Sequence, residues 1–251
     1  PGDEQAQRHV AALLPHAGKV WVGTFAGLER LDPATGTRDR VITLDPRALR
    51  KWPRQALVAG REGEVWYGAQ TGLYRIGARG GVERMRPSLS VRALAYDHRG
   101  QLWIGATQGL YRLASDGRSL LRVWPAEGEP EIEVGAIVEA PDHRLWLSLS
   151  AQGVLRFDPA TGRSLQLREQ SGVASGLAED SFNALMIDRG GMLWLGGQFR
   201  GVTVADPRGT RFNYVLDLET GPGHNAATDD SVRTVAQDTS GALWIGTDNA
   251  R

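Results

Sequence analysis

Six tryptophans recur at intervals of 45, 37, 43, 48 and 50 residues, each inside nearly the same phrase. The phrase reads VWVGTFAGLERLD from Val20, VWYGAQTGLYRI from Val65, LWIGATQGLYRL from Leu102, LWLSLSAQGVLRFD from Leu145, LWLGGQFRGVTVADP from Leu193 and LWIGTDNAR from Leu243. In the third copy, residues 91–113 read as three short antiparallel strands. The joint Asp97-His98-Arg99-Gly100 opens with a turn-favouring Asp and ends on a Gly that accepts φ > 0. Leu102, Trp103, Ile104 and Gly105 show no alternation of apolar and polar residues, the pattern of a strand covered on both faces. A small sheet of this kind is hidden from water only by neighbours stacked above and below it.

Self-similarity at about 40 to 50 residues, with roughly four strands per unit, marks the blades of a β-propeller. The expected fold is therefore all-β, with four-stranded antiparallel blades at residues 9–44, 55–85, 91–124, 134–168 and 181–216, and a partial blade at 232–251. That amounts to about five and a half blades in a single domain. The reading that follows is of an incomplete domain belonging to a larger propeller. The turn Asp32-Pro33-Ala34-Thr35-Gly36 returns letter for letter at residues 158–162, as duplication would leave it.

The run "strand, D-x-x-G, [LV]-W-[ILVY]-G-[TA], a short gap, G-L-x-R-[ILF]" resembles the two-component regulator propeller repeat, six times over nearly the whole chain. The fourth copy departs from it: Ser148 replaces the Gly, Val154 replaces the Leu, and Asp142-His143-Arg144 lacks the turn Gly. The resemblance implies the extracytoplasmic sensor region of a bacterial hybrid histidine kinase or diguanylate cyclase. Such a receptor head takes up a ligand, often carbohydrate-derived, and signals through a membrane helix to a cytoplasmic output domain. The implied location is periplasmic, with contact to a membrane only through segments outside this sequence.

Composition narrows the alternatives. Lys+Arg and Asp+Glu both number 29, so no overall field draws the chain to nucleic acid or an acidic membrane. The absence of cysteine removes disulfides, thiolate zinc sites and cysteine nucleophiles. No stretch has the length of an apolar membrane-spanning helix. The motifs of serine hydrolases, zincins, P-loops and EF-hands are missing, so neither catalytic residues nor a cofactor are expected.

Within a propeller, the fourth-to-first connections share one end of the blades with the short second-to-third turns, and loops carry recognition. Two connections carry aromatic and charged clusters. Arg50, Trp52 and Arg54, with Arg47 and Lys51, combine an aromatic plate with cations suited to a sugar ring and its carboxylate or sulfate. Trp124 is followed by Glu127, Glu129, Glu131 and Glu133. The turns add Gln70, Gln108, Gln152, Phe199 and Arg200, and the last long loop adds His224 and Asp230. Together these are the expected ligand rim. An exposed connecting loop and a solvated acidic stretch are the plainer readings of the two clusters.

His16, His98 and His143 fall in first-to-second-strand turns at the other end, where solvent-facing side chains are expected. The six repeated tryptophans are expected to pack between blades, and the Gly two residues after five of them (Gly23, Gly68, Gly105, Gly196 and Gly246) to make room for the next sheet. The favoured function is a non-enzymatic sensor module for a small, carbohydrate-related ligand. The alternatives are an interaction scaffold, homodimerisation of the receptor included, and a lyase resembling streptogramin B lyases.

Overall fold

The computed structural model describes residues 9–45, 55–169, 176–177, 179–209, 211–216 and 231–247. Every sheet is a simple antiparallel meander of strands consecutive in sequence. The first holds β1 (Val10–His16), β2 (Lys19–Thr24), β3 (Gly27–Leu31) and β4 (Arg38–Thr43). The second holds β5 (Ala56–Ala59), β6 (Val65–Ala69), β7 (Gly72–Ile76) and β8 (Val82–Met85). The third holds β9 (Val91–Tyr96), β10 (Leu102–Ala106), β11 (Gly109–Leu113) and β12 (Leu120–Trp124). The fourth holds β13 (Val134–Glu139), β14 (Leu145–Leu149), β15 (Val154–Phe157) and β16 (Ser164–Leu167). The fifth holds β17 (Phe182–Ile187), β18 (Leu193–Gly197), β19 (Val202–Ala205) and β20 (Phe212–Leu216). A two-stranded sheet of β21 (Val232–Gln237) and β22 (Leu243–Thr247) completes the described residues. No helix among them is long and apolar enough to cross a membrane.

By backbone contacts the chain forms two compact units. The first is Pro1–Tyr96 with Gly100–Glu131, and the second is Ile132–Arg251 with Asp97–Arg99. In the first unit, Trp21, Leu28 and Ile42 of the first sheet meet Val65, Tyr67 and Ile76 of the second. Trp66, Leu73 and Met85 of the second sheet likewise meet Val91, Leu102 and Ile104 of the third. In the second unit, Trp146 and Val154 meet Phe182, Leu193 and Leu195, and Val202 meets Val232 and Val235. Strands β6, β10 and β14 are buried at every position, which explains why their sequences do not alternate.

The repeated phrase has a physical reading residue by residue. Its Trp pairs across the second-to-third-strand ladder with its Arg: Trp21 with Arg30, Trp66 with Arg75, Trp103 with Arg112, Trp146 with Arg156. The guanidinium then lies over the indole, at 5.9 Å for Arg30, 5.6 Å for Arg75 and 6.0 Å for Arg156. The turn acid caps the same ring from its edge. Trp194 Nε1 donates to Asp188 Oδ2 at 2.7 Å and Trp244 Nε1 to Asp238 Oδ2 at 2.8 Å. In the second sheet Glu64 serves instead, accepting from Trp66 Nε1 at 3.0 Å. In the fourth sheet Ala140 stands six residues before the Trp, and the buried Trp146 Nε1 has no partner. Ser148, the residue standing for Gly there, likewise buries a hydroxyl without a partner.

A bulge recurs near the start of the first strand, where Ala11, Arg92, Gly135, Asn183 and Arg233 are skipped by the ladder. Bulges re-aim side chains. Asn183 Nδ2 reaches the next sheet, donating at 3.1 Å to both Ser231 Oγ and the Val232 carbonyl. The twin turns also fold alike: Gly36 N–H bonds the Asp32 carbonyl and Gly162 N–H the Asp158 carbonyl, both at 2.8 Å.

One expectation about the tryptophans is corrected. Trp21, Trp66, Trp103 and Trp146 are buried and Trp194 is half-buried, but Trp244 is 65% exposed. Its sheet has two strands rather than four.

Candidate functional site

The strongest constellation at the expected loop end lies in the second unit, around two consecutive acids that precede β17. Glu179 is buried, and its carboxylate accepts the backbone N–H groups of Gln198 (3.1 Å), Phe199 (3.1 Å) and Arg200 (2.9 Å). Three converging N–H groups form a small anion-holding nest in the turn between β18 and β19. Burial pushes the Glu179 carboxyl above its ordinary range, while the N–H groups of Arg200, Phe199 and Gln198 pull it back towards the ionised form.

Asp180 ties in the neighbouring turn. Its carbonyl accepts the Gly153 N–H at 2.8 Å, and its carboxylate accepts Arg168 Nη2 at 2.8 Å and the Glu169 N–H at 2.7 Å. Arg168 Nη2 also reaches the Ala151 carbonyl, and Gln166 Nε2 donates to the Gln152 carbonyl at 2.9 Å. The Glu179–Asp180 pair therefore brings together two of the expected turns, those of Gln152 and of Phe199–Arg200. Gln152 is half-buried, Arg200 is exposed, and the Phe199 ring stands 68% exposed on a turn whose backbone is fixed from beneath. An aromatic plate with an arginine beside it can stack on a ring and pair with an anionic substituent.

In the first unit, Gln70, Gln108 and Trp124 are half-buried. Thr107 Oγ1 donates to Gln108 Oε1 at 2.9 Å, and Trp124 pairs in the ladder with Leu110, which puts it at the loop end of its sheet. Arg84 lies over the Tyr74 ring at 5.7 Å and donates through Nη2 to the Thr71 carbonyl at 2.6 Å. In the acidic connection, Glu129 Oε2 accepts the Ala126 N–H at 2.9 Å, closing a local turn. Arg50, Trp52, Arg54, His224 and Asp230 lie outside the described residues.

Sequence reasoning missed Glu179, Asp180 and Arg168. The available signal was an acid pair immediately before a strand that opens with Phe182. At the other strand ends, His98, Glu139 and His143 form a group with metal-ligating atoms within 4.8 Å of one another.

Solved structures with the same architecture come from functionally diverse proteins. One is described as the extracellular domain of a hybrid two component system, BT4673, from B. thetaiotaomicron. The TM-score is 0.64 at 16% identity, over 96% of this chain and 37% of that one. Virginiamycin B lyase from Staphylococcus aureus, solved with quinupristin, gives 0.70 at 16% identity over 95% and 78%. PorZ, a surface component of the type-IX secretion system of Porphyromonas gingivalis, gives 0.67 at 16% identity over 95% and 39%. This chain thus spans little more than a third of the extracellular domain it resembles. No curated protein matches it in sequence. At such identities the likeness establishes the β-propeller fold, five four-stranded blades and a two-stranded sixth being described here. The family model for the two component regulator propeller matches residues 227–249, the last written copy of a phrase that five earlier sheets repeat. Residues 227–249 are thus one repeat of the two component regulator propeller type.

Proposed function

We propose that this chain is part of the extracytoplasmic sensor head of a bacterial two-component or cyclic-nucleotide signalling receptor, and that it takes a small carbohydrate-related molecule at the loop end of its second unit. The observation that supports this reading is the presentation of Phe199. An exposed aromatic on a turn held by a buried carboxylate can stack on a ligand without first paying to order its own backbone. Arg200 beside it favours a sugar bearing a carboxylate or sulfate. Transmission to a kinase or cyclase belongs, on this reading, to segments outside this chain. Membrane contact and a periplasmic address follow from the same analogy, and the chain itself acts as a non-enzymatic binder.

Thermal unfolding in the presence of neutral and uronic-acid oligosaccharides tests the proposal. A ligand at about 100 times its dissociation constant stabilises the fold by about 2.7 kcal/mol. The expected result is a raised Tm for an acidic sugar that Phe199→Ala abolishes. A panel that leaves the Tm unmoved, or a shift that Phe199→Ala preserves, overturns the assignment.

A lyase is the second reading, favoured by the 78% coverage of virginiamycin B lyase. Fold likeness does not carry chemistry with it. Linearisation of quinupristin by the purified chain would replace the sensor reading with this one.

A further inference from the structure

The six first-to-second-strand turns align on their tryptophans. Three residues before the Trp stand Gly18, Gly63, Gly100, Gly191 and Gly241, all with φ between 71° and 96°. The fourth sheet alone among them puts a side chain there: His143, at φ 63°. A non-glycine residue in the left-handed region is uncommon, with histidine among those that tolerate it, and a local rule broken in this way marks places where function offsets the cost.

The His143 ring lies on that of His98, with centroids 3.7 Å apart and planes inclined by 24°. His98 Nδ1 is 2.5 Å from Glu139 Oε1, and His143 Nδ1 is 3.4 Å from the same oxygen. The other oxygen, Oε2, accepts the His98 N–H at 2.6 Å. All three residues belong to the second unit. The Oε2 contact is a structural latch that needs no charge, because at the equivalent position Gln237 Oε1 accepts the Arg189 N–H at 3.0 Å. A carboxylate thus stands where an amide suffices, with its spare oxygen facing two imidazole nitrogens.

We propose that His98 Nδ1, His143 Nδ1 and Glu139 Oε1 form a binding site for a divalent transition metal of the zinc class. Two imidazole nitrogens and a carboxylate oxygen are zinc donors at about 2.0–2.2 Å, which sets tetrahedral ligand atoms roughly 3.4 Å apart. The three donors lie within 4.8 Å of one another, so side-chain torsions alone bring them to that spacing. A fourth position remains for water or an incoming ligand. Magnesium and calcium, which prefer shells of oxygen, fit this donor set poorly. Arg99 Nε donates to His98 Nε2 at 3.3 Å, which places the ring proton on Nδ1. Metal binding exchanges that tautomer through solvent: Nδ1 loses its proton, Nε2 gains one, and the exposed Arg99 side chain turns away.

Isothermal titration of the 251-residue chain with zinc chloride, and separately with magnesium chloride, tests the site. The expected result is one zinc per chain and no magnesium heat. His143→Gly restores the residue the other turns use, so its metal-free melting temperature should not fall. Its zinc affinity should nevertheless drop by at least about tenfold. Glu139→Gln keeps an oxygen for the latch and should weaken zinc to a similar degree. Absence of zinc heat in the parent chain, or zinc binding that both variants leave unchanged, overturns the proposal.

Discussion

Gly196 of β18 faces Val232 of β21 so closely that a Cβ on the glycine would lie 2.6 Å from Val232 Cγ1. Gly68 stands in the same relation to Val91, and a Cβ on Gly23 would meet Gln55 Oε1 at 2.5 Å. The glycine two residues after the repeated Trp is thus a spacer between sheets. Gly196→Ala and Gly68→Ala should each lower stability by about 1–3 kcal/mol through overpacking. Denaturant midpoints of the single variants check this, and unchanged midpoints would mean that the sheets can move apart at no cost.

The same tryptophan should matter very differently along the chain. Trp103 is 3% exposed, and Trp103→Ala should cost about 3–5 kcal/mol. Trp244 is 65% exposed and is held by a hydrogen bond to Asp238, so Trp244→Ala should cost about 1 kcal/mol or less. Comparing the two variants by urea titration tests the assignment. Equal losses would contradict the burial difference.

Ser148 carries the opposite expectation. Its hydroxyl is buried in β14 without a hydrogen-bond partner, so Ser148→Ala should raise stability by about 1 kcal/mol. A melting temperature below that of the parent would show that the hydroxyl is satisfied in solution.

Two pH windows should be separable. Asp116, Asp206 and Asp238 are held down to about 2: by the Ser119 and Arg118 donors, by Arg208, and by Ser240 and Trp244 respectively. Their folded-state pKa values lie below the ordinary 3.8, so the stability they confer is present above that value and is lost as pH falls towards about 2. Glu179 acts in reverse. Its raised pKa means that the folded state holds the proton more tightly, so its contribution declines as pH rises from 4.5 through the raised value. Glu179→Gln mimics the protonated carboxyl and does not titrate, so its stability should lie near the parent's below pH 4.5 and rise relative to it as pH climbs through the raised value. Parallel pH–stability curves for the two proteins would refute the shift.

Much of the fold was legible because packing writes a period into sequence. The unalternating Leu102–Ile104 run announced a strand covered on both faces, and Asp97 to Gly100 announced its turn. What the period concealed were contacts across ladders and between sheets. The Arg of the phrase was visible as a letter, yet its place over the indole depends on the Trp66–Arg75 register. His98 and His143 were both placed in turns at one end, but their stacking depends on where each side chain reaches. The expected rim was read from topology. Topology does not record that Glu179 and Asp180 would join the Gln152 and Phe199 turns, because the joining bonds are made by backbone N–H groups that every residue possesses.

Since each sheet is a meander, no hydrogen-bond ladder in the described chain has to wait for a distant segment to be synthesised. Pairing within a sheet can close as soon as its last strand leaves the ribosome, and only the apolar faces must await the following sheet. Repeats of this kind can be gained or lost by gene duplication without rewiring any strand, as the twin turns at Asp32 and Asp158 already suggest.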